Sequence, residues 1–261
     1  MTLFFLPGKV IKMKKAFLIL ADGSVFEGQS IGAQGSVIGE TVFTTGMTGY
    51  LETLTDPSYY GQIVTQTFPL IGNYGMIPKD YESKKCHIRG YVVRELCEKP
   101  SNFRCELTLN DFLKQQNIIG IAGIDTRRLT KNLREAGVMN GMIVTAQSCP
   151  KIGSSLLSKI KEYTIKDAVK NVQNCMIDSP LKTAEEPEKS DFYTKGFADG
   201  KGKKIALFDF GAKANIQREL ERRGCDVTVV PYDTKAEKII EMAFDGIMLV
   251  TGPGAPPEKG G

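Results

Sequence analysis

Six cysteines and one histidine are the side chains of this sequence best suited to nucleophilic or metal chemistry. No two cysteines are spaced as Cys-x-x-Cys, so the usual zinc-site pattern is absent. An activated cysteine in an α/β sheet needs a sharp strand-to-helix turn, small neighbours and a histidine within reach, and none of the six has these neighbours. His87 lies among Lys84, Lys85 and Arg89, which favours a solvent-facing residue over a general base. The sequence therefore predicts neither a metal site nor a catalytic triad.

A Thr-Gly-Pro-Gly loop at residues 251–254 is the other candidate for chemistry, and it follows an apolar run at 246–250. At the carboxyl end of a parallel strand, two glycines let the backbone approach a ligand and direct N–H groups into the crevice. An oxyanion hole requires donors of this kind. The alternative is a plain loop whose glycines serve only turn geometry. Taken alone, the tetrapeptide favours this alternative.

Three apolar runs precede this loop, and helical patterns separate them. The runs lie at residues 204–210, 227–230 and 246–250. The order strand, helix, strand, helix, strand predicts the first half of an open parallel α/β sheet. Gly211 follows the first run, but the segment has neither G-x-G-x-x-G nor a Walker pattern. A glycine required by a tight strand-to-helix turn is therefore favoured over a nucleotide loop.

The second of these helices has its own start signal and an apolar stripe. Thr234 with Glu237 three residues later matches a capping box. Apolar residues then recur at i, i+3, i+4 and i+7, which predicts a single buried face. The residues of this stripe are Ala236, Ile239, Ile240 and Ala243.

The first 150 residues predict a strand-rich α+β domain with two helices. Asp22-Gly23 predicts a two-residue hairpin turn in which both positions have positive φ. Residues 118–124 are apolar and β-branched and predict a buried strand. Asp125 is placed to cap a helix that Gly137 ends.

The composition of the chain limits the class of protein, and changes in composition along it predict the domain bounds. Hydrophobic residues make up 41%, charged residues 25%, and the net charge is +4, with no basic stripe of the kind that binds nucleic acid. The apolar start is too short to span a membrane and has the wrong charge order for a signal peptide. We therefore expect a cytoplasmic protein with reduced thiols. The predicted divisions are a disordered leader at 1–12, a first domain at 13–150, a connector at 151–202 and a second domain at 203–261.

Many short segments of the sequence resemble the small subunit of glutamine-dependent carbamoyl-phosphate synthase. The resemblance runs from about Met13 to about Gly254. The segments that carry it are Met47-Thr-Gly-Tyr-Leu-Glu-Thr-Leu-Thr-Asp-Pro-Ser-Tyr59, Gln62-Ile-Val64, Ile71-Gly-Asn73, Ser101-Asn-Phe-Arg104, Asp125-Thr-Arg127, Leu129-Thr130, Asn140-Gly141, Asp209-Phe-Gly-Ala-Lys213 and Asn215-Ile216.

This resemblance implies a swivelling β/β/α domain followed by the first half of a class I glutamine amidotransferase domain, with a flavodoxin-like parallel sheet. It implies a subunit that hydrolyses glutamine and passes ammonia to a large subunit. There, ATP and Mg²⁺ are used to make carbamoyl phosphate from bicarbonate for arginine and pyrimidine synthesis. It also implies that the first domain supplies much of the large-subunit interface, and that this chain itself binds no cofactor. By resemblance, Ser58, Gly252 and Gly254 contact glutamine, and Gly252 corresponds to an oxyanion-hole donor.

The sequence also departs from the family pattern. The family's nucleophile lies in a Gly-x-Cys-x-Gly elbow, with His and Glu partners later, and all three are absent from these 261 residues. Two hypotheses follow: a glutaminase subunit known here as an incomplete chain, or a non-catalytic module that binds the large subunit. In either case Ile247, Leu249 and Val250 are expected at an uncovered sheet edge. We therefore expect the first domain to resist proteolysis longer than the second.

Overall fold

The structure is a computed structural model that describes residues 14–173 and 200–253. The predicted leader at 1–12, residues 174–199 of the predicted connector and Gly254 lie outside the described residues. The bounds of the two domains and the connector stay predictions.

Residues 14–145 are organised around a closed barrel of seven strands, with the spatial order β1-β2-β8-β6-β4-β3-β9. The central strands β4, β6 and β8 are parallel to one another, and β9 is antiparallel to both of its neighbours, β1 and β3. The remaining strands β5 and β7 form a small parallel pair outside the barrel. The strands are β1 Lys15–Leu20, β2 Val25–Gly32, β3 Ser36–Thr44, β4 Gln62–Gln66, β5 Leu70–Ile71, β6 Gly90–Val92, β7 Glu95–Leu96, β8 Ile119–Ala122 and β9 Met139–Thr145.

Two apolar clusters hold the barrel and its helices together. Side chains two residues apart in a strand point to the same face. Inward-facing residues of six barrel strands form one apolar cluster inside the barrel, and Leu129 and Leu133 of α3 pack against it. The second cluster packs α1 and α2 onto the outer face, with Tyr50 and Phe112 among its buried rings. The α-helices in this part of the chain are α1 Tyr50–Thr55, α2 Leu109–Gln115, α3 Thr126–Ala136, α4 Ser154–Lys161 and α5 Ala168–Val172, with 3-10 helices at Pro57–Tyr59 and Pro78–Asp80.

The local signals of the first domain are confirmed with two corrections. Asp125 caps α3 by accepting a hydrogen bond from the Arg128 N–H, and Gly137 ends the helix. The β1–β2 hairpin is present, but only Gly23 has a positive φ. The predicted turn type is wrong because Asp22 does not have a positive φ. The Asp22 carboxylate accepts a hydrogen bond from the Ser24 N–H in this turn. The domain also has a third α-helix, α1, which pattern reasoning missed.

The second domain is the predicted parallel sheet, with the order β11-β10-β12. Helix α6 packs on one face with Leu207 and Val227, and α7 packs on the other with Ala206 and Val230. Helices on both faces of a parallel sheet confirm the α/β, doubly wound arrangement. The elements are β10 Lys204–Asp209, α6 Ala214–Arg222, β11 Asp226–Pro231, α7 Ala236–Glu241 and β12 Gly246–Leu249.

The predicted start and stripe of α7 are wrong. The Thr234 hydroxyl donates to the Pro231 carbonyl at 2.7 Å, and Lys235 occupies the N-cap position without a side-chain cap. Of the four stripe residues only Ile239 is buried, and Ile240 is 77% exposed. Ala243 lies beyond the end of α7 with a φ of +50°, and Ala236 and Ile240 lie on the helix but are exposed.

The first part of the predicted connector is folded and contains two helices, α4 and α5. Ile160 of α4 and Val172 of α5 are buried. The Tyr163 hydroxyl donates to the Gly61 carbonyl at 2.8 Å, and the Asn140 side-chain amide donates to the Tyr163 carbonyl at 2.8 Å. Residues 151–173 therefore pack against the barrel.

Candidate functional site

Ser58 lies in the 3-10 helix that directly follows α1. Its backbone N–H donates to the Asp56 carboxylate at 2.9 Å, which caps this short helix. Pro57 at the first helical position has the φ that the turn requires. The segment Asp56-Pro57-Ser58 is therefore fixed by local chemistry, and Ser58 is half-buried beside the second domain.

Gly252 lies just beyond β12, where its backbone crosses close to the end of β10. A Cβ atom at this position would lie 1.8 Å from the Phe210 carbonyl oxygen, so no other residue fits without moving the chain. Gly211 is similarly constrained. Its φ is +101°, and a Cβ atom there would lie 3.0 Å from Pro253 Cδ and 3.3 Å from Pro57 Cβ. The predicted role of Gly211 in a tight strand-to-helix turn is confirmed.

Ser58 and Gly252 line one cleft of about 880 Å³ between the barrel and the parallel sheet. The structure thus brings together two of the three residues predicted to contact glutamine, although they are far apart in sequence. The third, Gly254, lies outside the described residues. Polar and charged side chains also line this cleft, namely Glu40, Gln62, Asn140, Lys161 and Thr164.

The charged groups of the cleft are of both signs. The Gln62 side-chain amide donates to the Glu40 carboxylate at 2.7 Å, which orients both groups at the wall formed by β3 and β4. Lys161, at the end of α4, also lines this cleft.

Cys86 has a setting opposite to that of a nucleophile. Burial raises the pKa of Cys86 to about 12, and its thiol donates to the Leu54 carbonyl. A nucleophilic cysteine requires the opposite shift. Within residues 14–173 and 200–253, no three His, Cys, Asp or Glu side chains group together in a way that could hold a metal ion.

The predicted exposure of His87 is wrong, because its side chain is only 6% exposed. Burial, and next the charge of Lys85, lower its pKa from 6.5 to about 4, while Asp56 acts in the opposite direction. Its Nε2 atom makes no hydrogen bond to the described residues. The neighbouring lysine and arginine suggested a surface position, but the fold turns the imidazole inward.

The contacts that join the two domains were missed by sequence reasoning. Lys213 Nζ lies 2.7 Å from Asp56 Oδ2, and Asp56 is buried. Glu82 Oε2 accepts a hydrogen bond from the Asn215 N–H at 2.9 Å. The segments that resemble the family include Asp56, Lys213 and Asn215 but not Glu82, and nothing in the sequence pairs them.

None of the helices in the described residues has the length and apolar character needed to cross a membrane.

Comparison with known proteins identifies two family models along the chain. The model "Carbamoyl-phosphate synthase small chain, CPSase domain" matches residues 18–143, and the model "Glutamine amidotransferase class-I" matches residues 206–261. The second match continues past Gly254, where the resemblance had been expected to end. Together the two matches cover the barrel and the parallel sheet.

Curated relatives support the same assignment. The carbamoyl phosphate synthase small chain of Clostridium perfringens is 49% identical over 246 residues, covering 94% of this chain and 64% of the relative. That of Listeria innocua is 47% identical over 247 residues, covering 94% and 62%. This chain therefore spans less than two thirds of the length of these relatives. With both family models and these relatives in agreement, the chain belongs to the family of carbamoyl phosphate synthase small chains.

Proposed function

We propose that this chain forms one side of a glutamine site in a carbamoyl phosphate synthase. The observation that supports this proposal is that Ser58 of the barrel domain and Gly252, in the loop after β12, line the same cleft. Family membership supplies the substrate class, and the mixed charges of the cleft suit an amino acid. In the complete enzyme, glutamine hydrolysis supplies ammonia to a large subunit that makes carbamoyl phosphate from bicarbonate and ATP.

In this proposal the residues of the chain bind and orient glutamine. The Ser58 hydroxyl and the backbone at Gly252 and Gly254 contact the substrate. The Gly252 N–H stabilises the oxyanion that forms when the side-chain amide carbon is attacked. The absence of a side chain at Gly252 lets the backbone come this close to the ligand.

The covalent step requires residues that these 261 do not include, because no Gly-x-Cys-x-Gly segment occurs among them. A thiolate attacks the glutamine side-chain carbon, ammonia leaves, and water then hydrolyses the thioester to glutamate. ATP and Mg²⁺ act on the large subunit, and the partnership serves arginine and pyrimidine synthesis in the cytoplasm.

A second candidate function is a non-catalytic module that binds the large subunit. The observations that favour it are that the barrel spans the residues that match the small-chain domain model, 18–143, and that burial raises the pKa of Cys86, opposite to the shift of a nucleophile. Such a module would support synthesis from free ammonia only.

The test is to combine the chain with the large subunit from the same genome and measure complex formation by analytical ultracentrifugation. Carbamoyl phosphate synthesis is then assayed with ammonium and with glutamine. We expect the complex of the 261-residue chain to use ammonium. We expect a complex to use glutamine as well when residues 1–253 are joined to the C-terminal third of the Clostridium perfringens relative. Failure to form any complex contradicts both candidate functions.

Ser58→Ala in this joined protein tests the glutamine site itself. Loss of one substrate hydrogen bond should raise the glutamine KM about tenfold and leave the ammonium-dependent rate unchanged. Ser155→Ala, at an exposed position on α4, is the matched control. An unchanged glutamine KM in Ser58→Ala would remove Ser58 from the site.

A further inference from the structure

Helix α6 of the second domain has no side-chain cap from its own segment. Lys213 occupies the N-cap position and makes no capping hydrogen bond with its side chain. The first backbone N–H groups of a helix have no partner within the helix and need acceptors from elsewhere. Two of them find acceptors on one residue of the first domain, Glu82. Its carboxylate accepts the Asn215 N–H at 2.9 Å, and its carbonyl accepts the Ala214 N–H at 2.9 Å.

The segment that carries Glu82 is itself held to the end of α1. The Glu82 N–H donates to the Thr55 hydroxyl at 2.9 Å, and the Ser83 hydroxyl donates to the Thr55 carbonyl at 2.5 Å. Arg218, one turn further along α6, donates to the Tyr81 carbonyl at 2.8 Å. Glu82 is therefore an almost fully buried acceptor, fixed on both sides of the domain contact.

The start of α6 also contacts the two segments that carry Ser58 and Gly252. Thr55 directly precedes the Asp56-Pro57-Ser58 segment, and Asp56 bonds both the Ser58 N–H and the Lys213 ammonium. On the other side, the turn at Gly211 lies against Pro57 and Pro253. A shift of the α6 start relative to the barrel would therefore change the position of Gly252 relative to Ser58.

We propose that Glu82 is a positioning residue for the glutamine cleft, which caps α6 across the domain contact and so sets the separation of Ser58 and Gly252. Glu82 is not among the residues that line the cleft. The inference rests on the proposed function for its link to glutamine, whereas the capping role stands on the contacts alone.

Hydrogen–deuterium exchange of the 261-residue chain tests the capping role without any substrate. Glu82→Ala removes the carboxylate that accepts the Asn215 N–H but leaves the backbone carbonyl that accepts the Ala214 N–H. We expect the amides of residues 211–218 to exchange about fivefold faster or more. Glu82→Gln keeps a carbonyl oxygen in place and should exchange nearly as the wild type does. Glu82→Asp keeps the charge but shortens the reach, and it should lie between the two. Glu135→Ala, at an exposed position on α3, is the control. Wild-type exchange in both Glu82→Ala and Glu82→Asp would overturn the capping role.

Glutamine kinetics in the joined protein described above test the positioning role. We expect Glu82→Ala to raise the glutamine KM several-fold while the ammonium-dependent rate stays unchanged, and Glu82→Gln to restore the KM. Faster exchange with an unchanged KM would overturn the positioning role. If Ser58→Ala also leaves the KM unchanged, the proposed glutamine site fails as well. A raised KM in Ser58→Ala with an unchanged KM in Glu82→Ala contradicts only the role of Glu82.

Discussion

Lys213 Nζ lies 2.7 Å from the Asp56 carboxylate, and this ion pair joins the parallel sheet to the segment that carries Ser58. Burial opposes the charged ammonium, but the hydrogen bond and charge of Asp56, followed by the charges of Glu82 and Tyr59, raise the pKa of Lys213. Asp56 is buried, whereas the Lys213 side chain is nearly half exposed. The stability of the buried Asp56 carboxylate therefore depends on the ion pair more than that of the Lys213 ammonium does, because water can reach the lysine.

Lys213→Met should destabilise the chain by about 1–3 kcal/mol, because it leaves a buried carboxylate without its cation. Lys213→Arg should retain most of the stability. Urea unfolding measures both variants, and Lys159→Met at an exposed position of α4 is the control. A double-mutant cycle with Asp56→Asn should give a coupling of at least about 0.5 kcal/mol. A coupling of zero would show that the pair contributes nothing to stability.

Gly252→Ala should destabilise the chain by about 1–3 kcal/mol and displace the loop at the cleft, because the new Cβ atom would lie 1.8 Å from a backbone oxygen. Gly153→Ala is a matched control, since no atom lies within 4 Å of its Cβ position and its φ is −107°. Gly153 is the N-cap residue of α4, where alanine is less favoured than glycine, so we expect the control to cost at most about 1 kcal/mol in urea unfolding and less than Gly252→Ala. Equal stability of the two variants would contradict the close approach at Gly252.

His87 should make the chain less stable in acid. A pKa lowered from 6.5 to about 4 means that the folded state favours neutral imidazole. The stability it contributes is complete above pH 6.5 and is lost as the pH falls from 6.5 to about 4, by on the order of 3 kcal/mol in total.

The measurement for His87 is the difference in unfolding free energy between the wild type and His87→Gln at several pH values from 7.5 to 4. Comparison with the variant is needed because a second buried group also titrates. Burial raises the pKa of Glu82, so its contribution to stability is lost as the pH rises, and this effect is common to both proteins. The difference should shrink as the pH falls. A difference that does not vary with pH would mean that His87 titrates as an exposed imidazole does.

The outer edge of β12 should make the second domain the weaker part of this 261-residue chain. Within the described residues β12 pairs only with β10, and Ile247 and Leu249 are 57% and 67% exposed. We expect residues 203–261 to be cleaved before residues 14–147 in limited proteolysis. Replacing both exposed side chains with lysine should reduce self-association in light scattering. Equal resistance of the two segments to cleavage would contradict this prediction.

Patterns in the sequence predicted the elements whose signals are local. The cap at Asp125 and the parallel strands of the second domain follow from side chains within a few residues of one another. Thr234 shows the limit of such signals, since its hydroxyl bonds the Pro231 carbonyl and not the helix N–H groups. Helix α1 was missed because it is six residues long and its N-cap residue is Gly49, which has no side chain to cap it.

The sequence by itself determined the family, the parallel sheet and the candidate residues Ser58 and Gly252. Only the tertiary structure decided that the strands close into a barrel, that His87 is buried, and that Glu82 caps a helix 133 residues further along the chain. The physical reason is that propensity and periodicity act over a few residues. A contact between distant residues depends instead on how whole elements pack, and no local pattern specifies that packing.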